Sequence, residues 1–177
     1  MFVAVVPPPE ALAPLVRAVA PLRDLPASWV PPERLHLTLV FLGEVADPAP
    51  YADALAPAVA EVAPFALRVS GGGAFPRAAR ARVLWAGVEG DVEALSRLAR
   101  LARRTAREHR IDVERKPYVP HVTVARVRRD GFDGGAAVAA LSAVDGEPWS
   151  VREVVLMRSV LGPAPAYEPV RACPLYT

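Results

Sequence analysis

Arg34-Leu35-His36-Leu37-Thr38-Leu39-Val40-Phe41 is an apolar run carrying one histidine and one threonine two positions apart. The pattern returns 85 positions later, as Pro120-His121-Val122-Thr123-Val124-Ala125. The chain has three histidines and four threonines, and these two runs take two of each. In a strand, residues i and i+2 point to the same face, roughly 6–7 Å apart along the chain. Each run therefore presents one imidazole beside one hydroxyl from an apolar strand. Alternation puts His36, Thr38 and Val40 on one face of the first strand and Leu37, Leu39 and Phe41 on the other. Two such strands side by side would gather two imidazoles and two hydroxyls around one small space, an arrangement suited to chemistry on a phosphate.

Outward from these runs the chain alternates short apolar strands with helical periods. Residues 2–6 read as a buried strand closed by Pro7-Pro8-Pro9, and residues 10–22 as a helix with Leu12, Leu15, Val16 and Val19 on one side. Tyr51, Leu55, Val59 and Val62 keep a helical period that Pro57 is expected to kink or split. Residues 65–70 alternate as a strand and run into Gly71-Gly72-Gly73. No Gly-Lys-Ser/Thr follows and no helix opens there, so the glycines read as a flexible hairpin or crossing loop rather than a phosphate loop. A strand over 82–88 precedes the clearest helix, 91–110, with Leu95, Leu98, Ala102 and Ala106 as its buried stripe and an arginine-rich face opposite. On that face Glu93 and Arg97 stand in the favourable i,i+4 order. His109 continues the stripe without a hydroxyl partner and stays outside the chemistry. A short helix within 132–144, a long strand over 151–161 and a last one over 167–172 complete the chain. The order β-α-β-α-β followed by β-α-β-α-β-β suggests α+β lobes with mostly antiparallel sheet and an internal structural duplication.

Composition excludes several classes. The chain has 177 residues, enough for one substantial domain or two small lobes sharing a core. It has no apolar run near the roughly 20 residues a membrane-spanning helix needs. The apolar N-terminus lacks a basic leader and ends in prolines, so a signal peptide is not expected and the protein is read as cytoplasmic. Cys173 is the single cysteine, which leaves no internal disulfide and no cysteine-based zinc site. Net charge is +2, and every basic residue but Lys116 is arginine. Guanidinium binds phosphate well, yet the abundant alanine and proline point to a GC-rich genome as the source of that bias.

Three readings of the paired histidines compete. In the first, each packs in a core beside its threonine. In the second they ligate a metal, although neither strand carries Asp or Glu at ligand spacing. In the third they act as acid and base, since an imidazole can stand neutral or protonated near neutral pH. A non-catalytic RNA-binding module is a further class, but it needs exposed aromatics. Aromatic content is 7%, and Phe41 and Trp85 read as buried.

His36-Leu37-Thr38-Leu39 and His121-Val122-Thr123-Val124 resemble the two His-x-Thr-x motifs of the 2H phosphoesterase superfamily, and more closely the RNA 2′,3′-cyclic phosphodiesterases, also called 2′-5′ RNA ligase-like proteins. The likeness extends to Phe2-Val3-Ala4-Val5, Phe75-Pro76-Arg77, Val83-Leu84-Trp85, and Ser159-Val160-Leu161 before Tyr167. The resemblance implies a single bilobal α+β domain over 1–177, with pseudo-symmetric lobes, helices outside and a central cleft. It implies metal-free and cofactor-free hydrolysis of RNA 2′,3′-cyclic phosphate ends, tRNA-derived ends among them, or of cyclic nucleotides, to a 2′-phosphomonoester. Joining of RNA ends through a 2′-5′ linkage, or action on a small cyclic phosphate alone, are the alternatives it leaves open. By the same resemblance His121 is the proton acceptor, His36 the proton donor, and Thr38 and Thr123 donate to phosphate oxygens. Arg126 is a further substrate-binding candidate. Alternation from His121 places it on the opposite face, so it reaches the site only if the strand ends or bulges after Thr123. A monomer without membrane contact is expected.

Overall fold

A computed structural model describes residues 1–127, 132–160, 162 and 166–176. Among these, nine strands form one antiparallel sheet: β1 (Phe2–Val5), β2 (Ser28–Trp29), β3 (Leu37–Phe41), β4 (Phe65–Phe75), β5 (Val83–Gly90), β6 (Val122–Arg126), β7 (Trp149–Val151), β8 (Glu153–Val160) and β9 (Ala166–Pro174). The described helices that join them are α1 (Pro9–Val19), α2 (Ala49–Ala60), α3 (Val92–Glu108) and α4 (Gly135–Ser142). The strand order is β7-β4-β5-β6-β3-β1-β8-β9, with β2 added on β6. β3 and β6, the two His-x-Thr strands, are therefore the central neighbours. The sheet divides between them into two lobes, and the expected α+β fold of antiparallel lobes stands.

The two halves of the chain exchange strands. β4 follows the first half but pairs with β5, and β8 follows the second half but pairs with β1. Helices pair in the same crossed way, α1 with α4 and α2 with α3. The apolar residues beneath them form one core cluster that includes Leu37, Val40, Leu98, Ala102, Val122 and Val124. In α3 the Asp91 side chain accepts from the Ala94 amide at 2.9 Å, capping the first turn. Leu95, Leu98, Ala102 and Ala106 are fully buried, as their spacing predicts. Arg97, however, faces Glu61 at 4.0 Å rather than Glu93.

Four further expectations change. α2 runs uninterrupted through Pro57, which falls in its last turn, so the single amide bond that the proline forfeits lies close to the helix end. The predicted strand over 151–161 divides at Arg152, because β7 pairs with β4 in one lobe and β8 with β1 in the other; Leu161 lies outside the described residues. Phe41 is 59% exposed and Trp85 half-buried, not core residues. Finally, Gly71-Gly72-Gly73 is not a loop but the middle of β4, paired with β5 across a register shift between Val69 and Gly72. Close approach explains the glycines: a Cβ on Gly72 would lie 2.4 Å from the Leu141 Cβ of α4, and one on Gly73 2.4 Å from the Trp85 indole.

Gly72→Ala must displace α4 or the Trp85 backbone. It is expected to lower stability by about 1–3 kcal/mol, the usual cost of overpacking. Urea denaturation should show a lower midpoint at unchanged slope; an unchanged midpoint would contradict this packing.

Candidate active site

The site is built on one backbone pair. β3 and β6 meet at Leu37↔Val122. One residue to either side, the same register sets His36 across from Thr123 and Thr38 across from His121. Leu37 and Val122 are fully buried under the helices, so their neighbours turn to the opposite, open face. The two histidines are then diagonal neighbours, a relation that spans roughly 7–8 Å in an antiparallel pair.

Both rings are held by the same device. The Nδ1–H of His36 donates to the Arg34 carbonyl at 2.7 Å, and that of His121 to the Val119 carbonyl at 2.7 Å. In each case the acceptor is two residues upstream, and it selects the tautomer whose Nε2 carries a lone pair. His36 Nε2 lies 3.0 Å from the Thr38 hydroxyl, the contact expected of residues i and i+2 on one face. Thr38 and Thr123 are half-buried.

Bulges correct the simple alternation at the same point in both strands. On β3, Val3 pairs with Val40 but Ala4 with Thr38, so Leu39 is an extra residue. On β6, Leu84 pairs with Ala125 but Trp85 with Thr123, so Val124 is extra. The residue five after each histidine is thereby returned to the histidine's face. In β3 this is Phe41, whose ring stands 6.1 Å from that of Phe2, which itself stacks on His36. Val40, expected on the open face, is buried instead, 4% exposed. In β6 the returned residue is Arg126, which meets the condition that alternation alone denied it. Its charge acts on both imidazoles.

Burial lowers the pKa of each histidine below the ordinary value. For His36 the Arg34 carbonyl opposes this, while Arg126 and His121 lower it further. For His121 the Val119 carbonyl opposes it and Arg126 adds to it. The rings that cause the burial have no role that sequence reasoning could assign. Phe2 stacks on His36 at 4.8 Å and Tyr167 meets it edge-on at 5.2 Å. Phe75 and Trp85 stand at 5.2 and 6.3 Å from His121. Only strand order brings β9 and the end of β4 to these imidazoles, and no local signal announces that.

His109 sits at the end of α3, its Nδ1 donating to the Thr105 carbonyl at 3.0 Å, away from the pair. Cys173 is buried, and burial raises its thiol pKa. Among the described residues, no group of three or more His, Cys, Asp or Glu side chains comes together, and no helix is long and apolar enough to cross a membrane.

Residues 7–163 match the sequence profile of the 2′-5′ RNA ligase superfamily. A Thermus thermophilus protein named RNA 2′,3′-cyclic phosphodiesterase is 36% identical, with 94% of this chain and 85% of that one covered. One of the same name from Geobacillus stearothermophilus is 35% identical over 155 residues, 84% of this chain; the chain spans about half of that relative, 48%. The crystal structure of TT0787 of Thermus thermophilus superposes with a TM-score of 0.77 at 32% identity, covering 98% of this chain and 96% of that one. With its paired His-x-Thr strands at the centre of the same sheet, this chain belongs to the 2′-5′ RNA ligase superfamily.

Proposed function

We propose that the chain hydrolyses RNA 2′,3′-cyclic phosphate ends to 2′-phosphomonoesters, with His121 and His36 as base and acid. The observation that carries this reading is the matched tethering of the two imidazoles, each with Nδ1 tied to a carbonyl two residues upstream, on neighbouring central strands. The names of the Thermus and Geobacillus relatives supply the substrate class.

In this mechanism the cyclic phosphate lies between the two rings. Water attacks phosphorus in line with the bond to the 3′-oxygen. His121 Nε2 takes the proton the water loses, and protonated His36 gives its Nε2 proton to the departing 3′-oxygen. One P–O bond forms and one breaks, leaving a 3′-hydroxyl and a 2′-phosphate. The hydroxyls of Thr38 and Thr123 donate to the non-bridging oxygens, and Arg126 offsets the negative charge held there. Which ring is acid and which base follows the family resemblance.

The working state has one proton between two imidazoles. Activity falls as pH rises and the acid loses its proton, and falls again as pH drops and the base gains one. Since burial lowers both pKa values below the ordinary 6.5, kcat/KM should peak on the acidic side of 6.5. A profile still rising at pH 8 would contradict this. His36→Ala and His121→Ala should each lower kcat on a 2′,3′-cyclic oligoribonucleotide by about 10²–10⁴-fold, the usual worth of a positioned proton transfer. EDTA should change nothing. Full activity in either variant would overturn the reading.

A further inference from the structure

The two imidazoles are tethered by the same bond, but the carbonyls that accept it are held differently. Ahead of His36, Ser28 and Trp29 form β2 on β6, continued by the Val30 amide donating to the Val124 carbonyl at 2.9 Å. A short turn over Pro32–Arg34 follows. It is closed by the Arg34 amide on the Pro31 carbonyl at 2.9 Å and the Leu35 amide on the Pro32 carbonyl at 3.2 Å. Backbone bonding therefore places the Arg34 carbonyl. Eighty-five positions later, ahead of His121, the equivalents of Ser28 and Trp29 are Val113 and Glu114, and they form no strand. Among the described residues no strand takes the matching place on β3, whose edge stays open there, and no backbone-to-backbone bond joins residues 112–119 to another segment. Pro117 and Pro120 have no amide proton with which to make one. Val119, the equivalent of Arg34, is 45% exposed.

Side chains take over where the backbone leaves off. Val113 is buried in the core and Tyr118 packs partly buried against it. The polar tie comes from Arg103 of α3. Its Nη1 donates to the Lys116 carbonyl at 2.9 Å, and its guanidinium lies over the Tyr118 ring, 5.8 Å from the centroid. These two contacts bracket Pro117 and end one residue before Val119. A charged donor on a carbonyl and a cation over an aromatic face are each stronger than their neutral counterparts. The ion pair of Lys116 with Glu114, at 2.8 Å, stays within the segment. Arg103 itself stands on a fixed base, since α3 is capped by Asp91 and buries Leu98, Ala99, Ala102 and Ala106 completely.

We infer that Arg103 is a positioning residue for His121: by holding residues 116–118 it places the Val119 carbonyl, which keeps the proton on Nδ1 and leaves Nε2 free to accept one. A neutral histidine without such a partner favours the proton on Nε2, the tautomer that cannot serve as base there. The inference rests on the proposed reading for the role of His121 as base, but the tautomer is read without substrate. Nitrogen-15 spectra of the imidazole rings at about pH 8, above the lowered pKa of both, compare the wild type, Arg103→Met and Arg103→Lys. Both wild-type rings should show the Nδ1–H pattern. Methionine keeps the helix propensity of arginine but offers no charge and no donor. In Arg103→Met, His121 should move toward the Nε2–H pattern while His36 stays, so the second ring verifies the fold in the same spectrum. Arg103→Lys, still a cation with a donor, should recover most of the wild-type pattern. On a 2′,3′-cyclic oligoribonucleotide, Arg103→Met should lower kcat by about 10–10²-fold, the scale of a small misplacement of a reacting group, with KM little changed. An unchanged His121 tautomer would overturn the inference, as would an equal change in both rings or no recovery by lysine. A raised KM at unchanged kcat, the mark of an arginine that only touches substrate, would overturn it too. The expected tautomer shift in a protein that turns over no cyclic phosphate would leave the positioning standing and remove the hydrolase reading; turnover with an unmoved tautomer would do the reverse.

Discussion

The pairing of Leu37 with Val122 is the constraint on which the site depends. Both side chains are fully buried, and a slip of one residue in either strand would turn a leucine or valine into water and a histidine into the core. Burial of apolar residues thus enforces the register that sets each histidine opposite the other motif's threonine. The exchange of β4 and β8 between lobes reinforces it, because neither half of the chain completes its own sheet. A bilobal site made this way needs no hinge to bring its groups together.

Around that pair, burial and hydrogen bonding divide the labour. The carbonyls of Arg34 and Val119 fix the tautomer of each ring. The aromatic rings of Phe2, Tyr167, Phe75 and Trp85 remove water from the imidazoles and make their charged forms harder to reach. A bound phosphate would favour the charged form again by its own charge. Empty and occupied sites therefore differ in where the proton rests. The two bulges complete the frame, returning Arg126 to the histidines' face from one strand and Phe41 from the other.

Much of this was legible from residues alone. The repeated His-x-Thr, the helical stripe of Leu95, Leu98, Ala102 and Ala106, and the α+β order follow from periods of 2 and 3.6, which local sequence carries. The bulges were not legible, because an extra residue is defined by what the partner strand pairs with. Alternation therefore misplaced Val40, Phe41 and Arg126. The triple glycine misled for a related reason: its flexibility is local, but its cause is the close approach of Leu141 and Trp85. The break at Arg152 was hidden because the strands on either side continue one apolar run while pairing in different lobes. The open edge of β3 emerges only when its neighbours are placed.

The claim that two imidazoles act in line across one phosphate is tested most directly by the identity of the product. Phosphorus NMR can follow a 2′,3′-cyclic oligoribonucleotide through complete reaction with the protein. A single new phosphomonoester resonance is expected, that of the 2′-phosphate, as one fixed acid protonates only the 3′-oxygen. A mixture of 2′- and 3′-phosphates, or a 3′-phosphate alone, would contradict it.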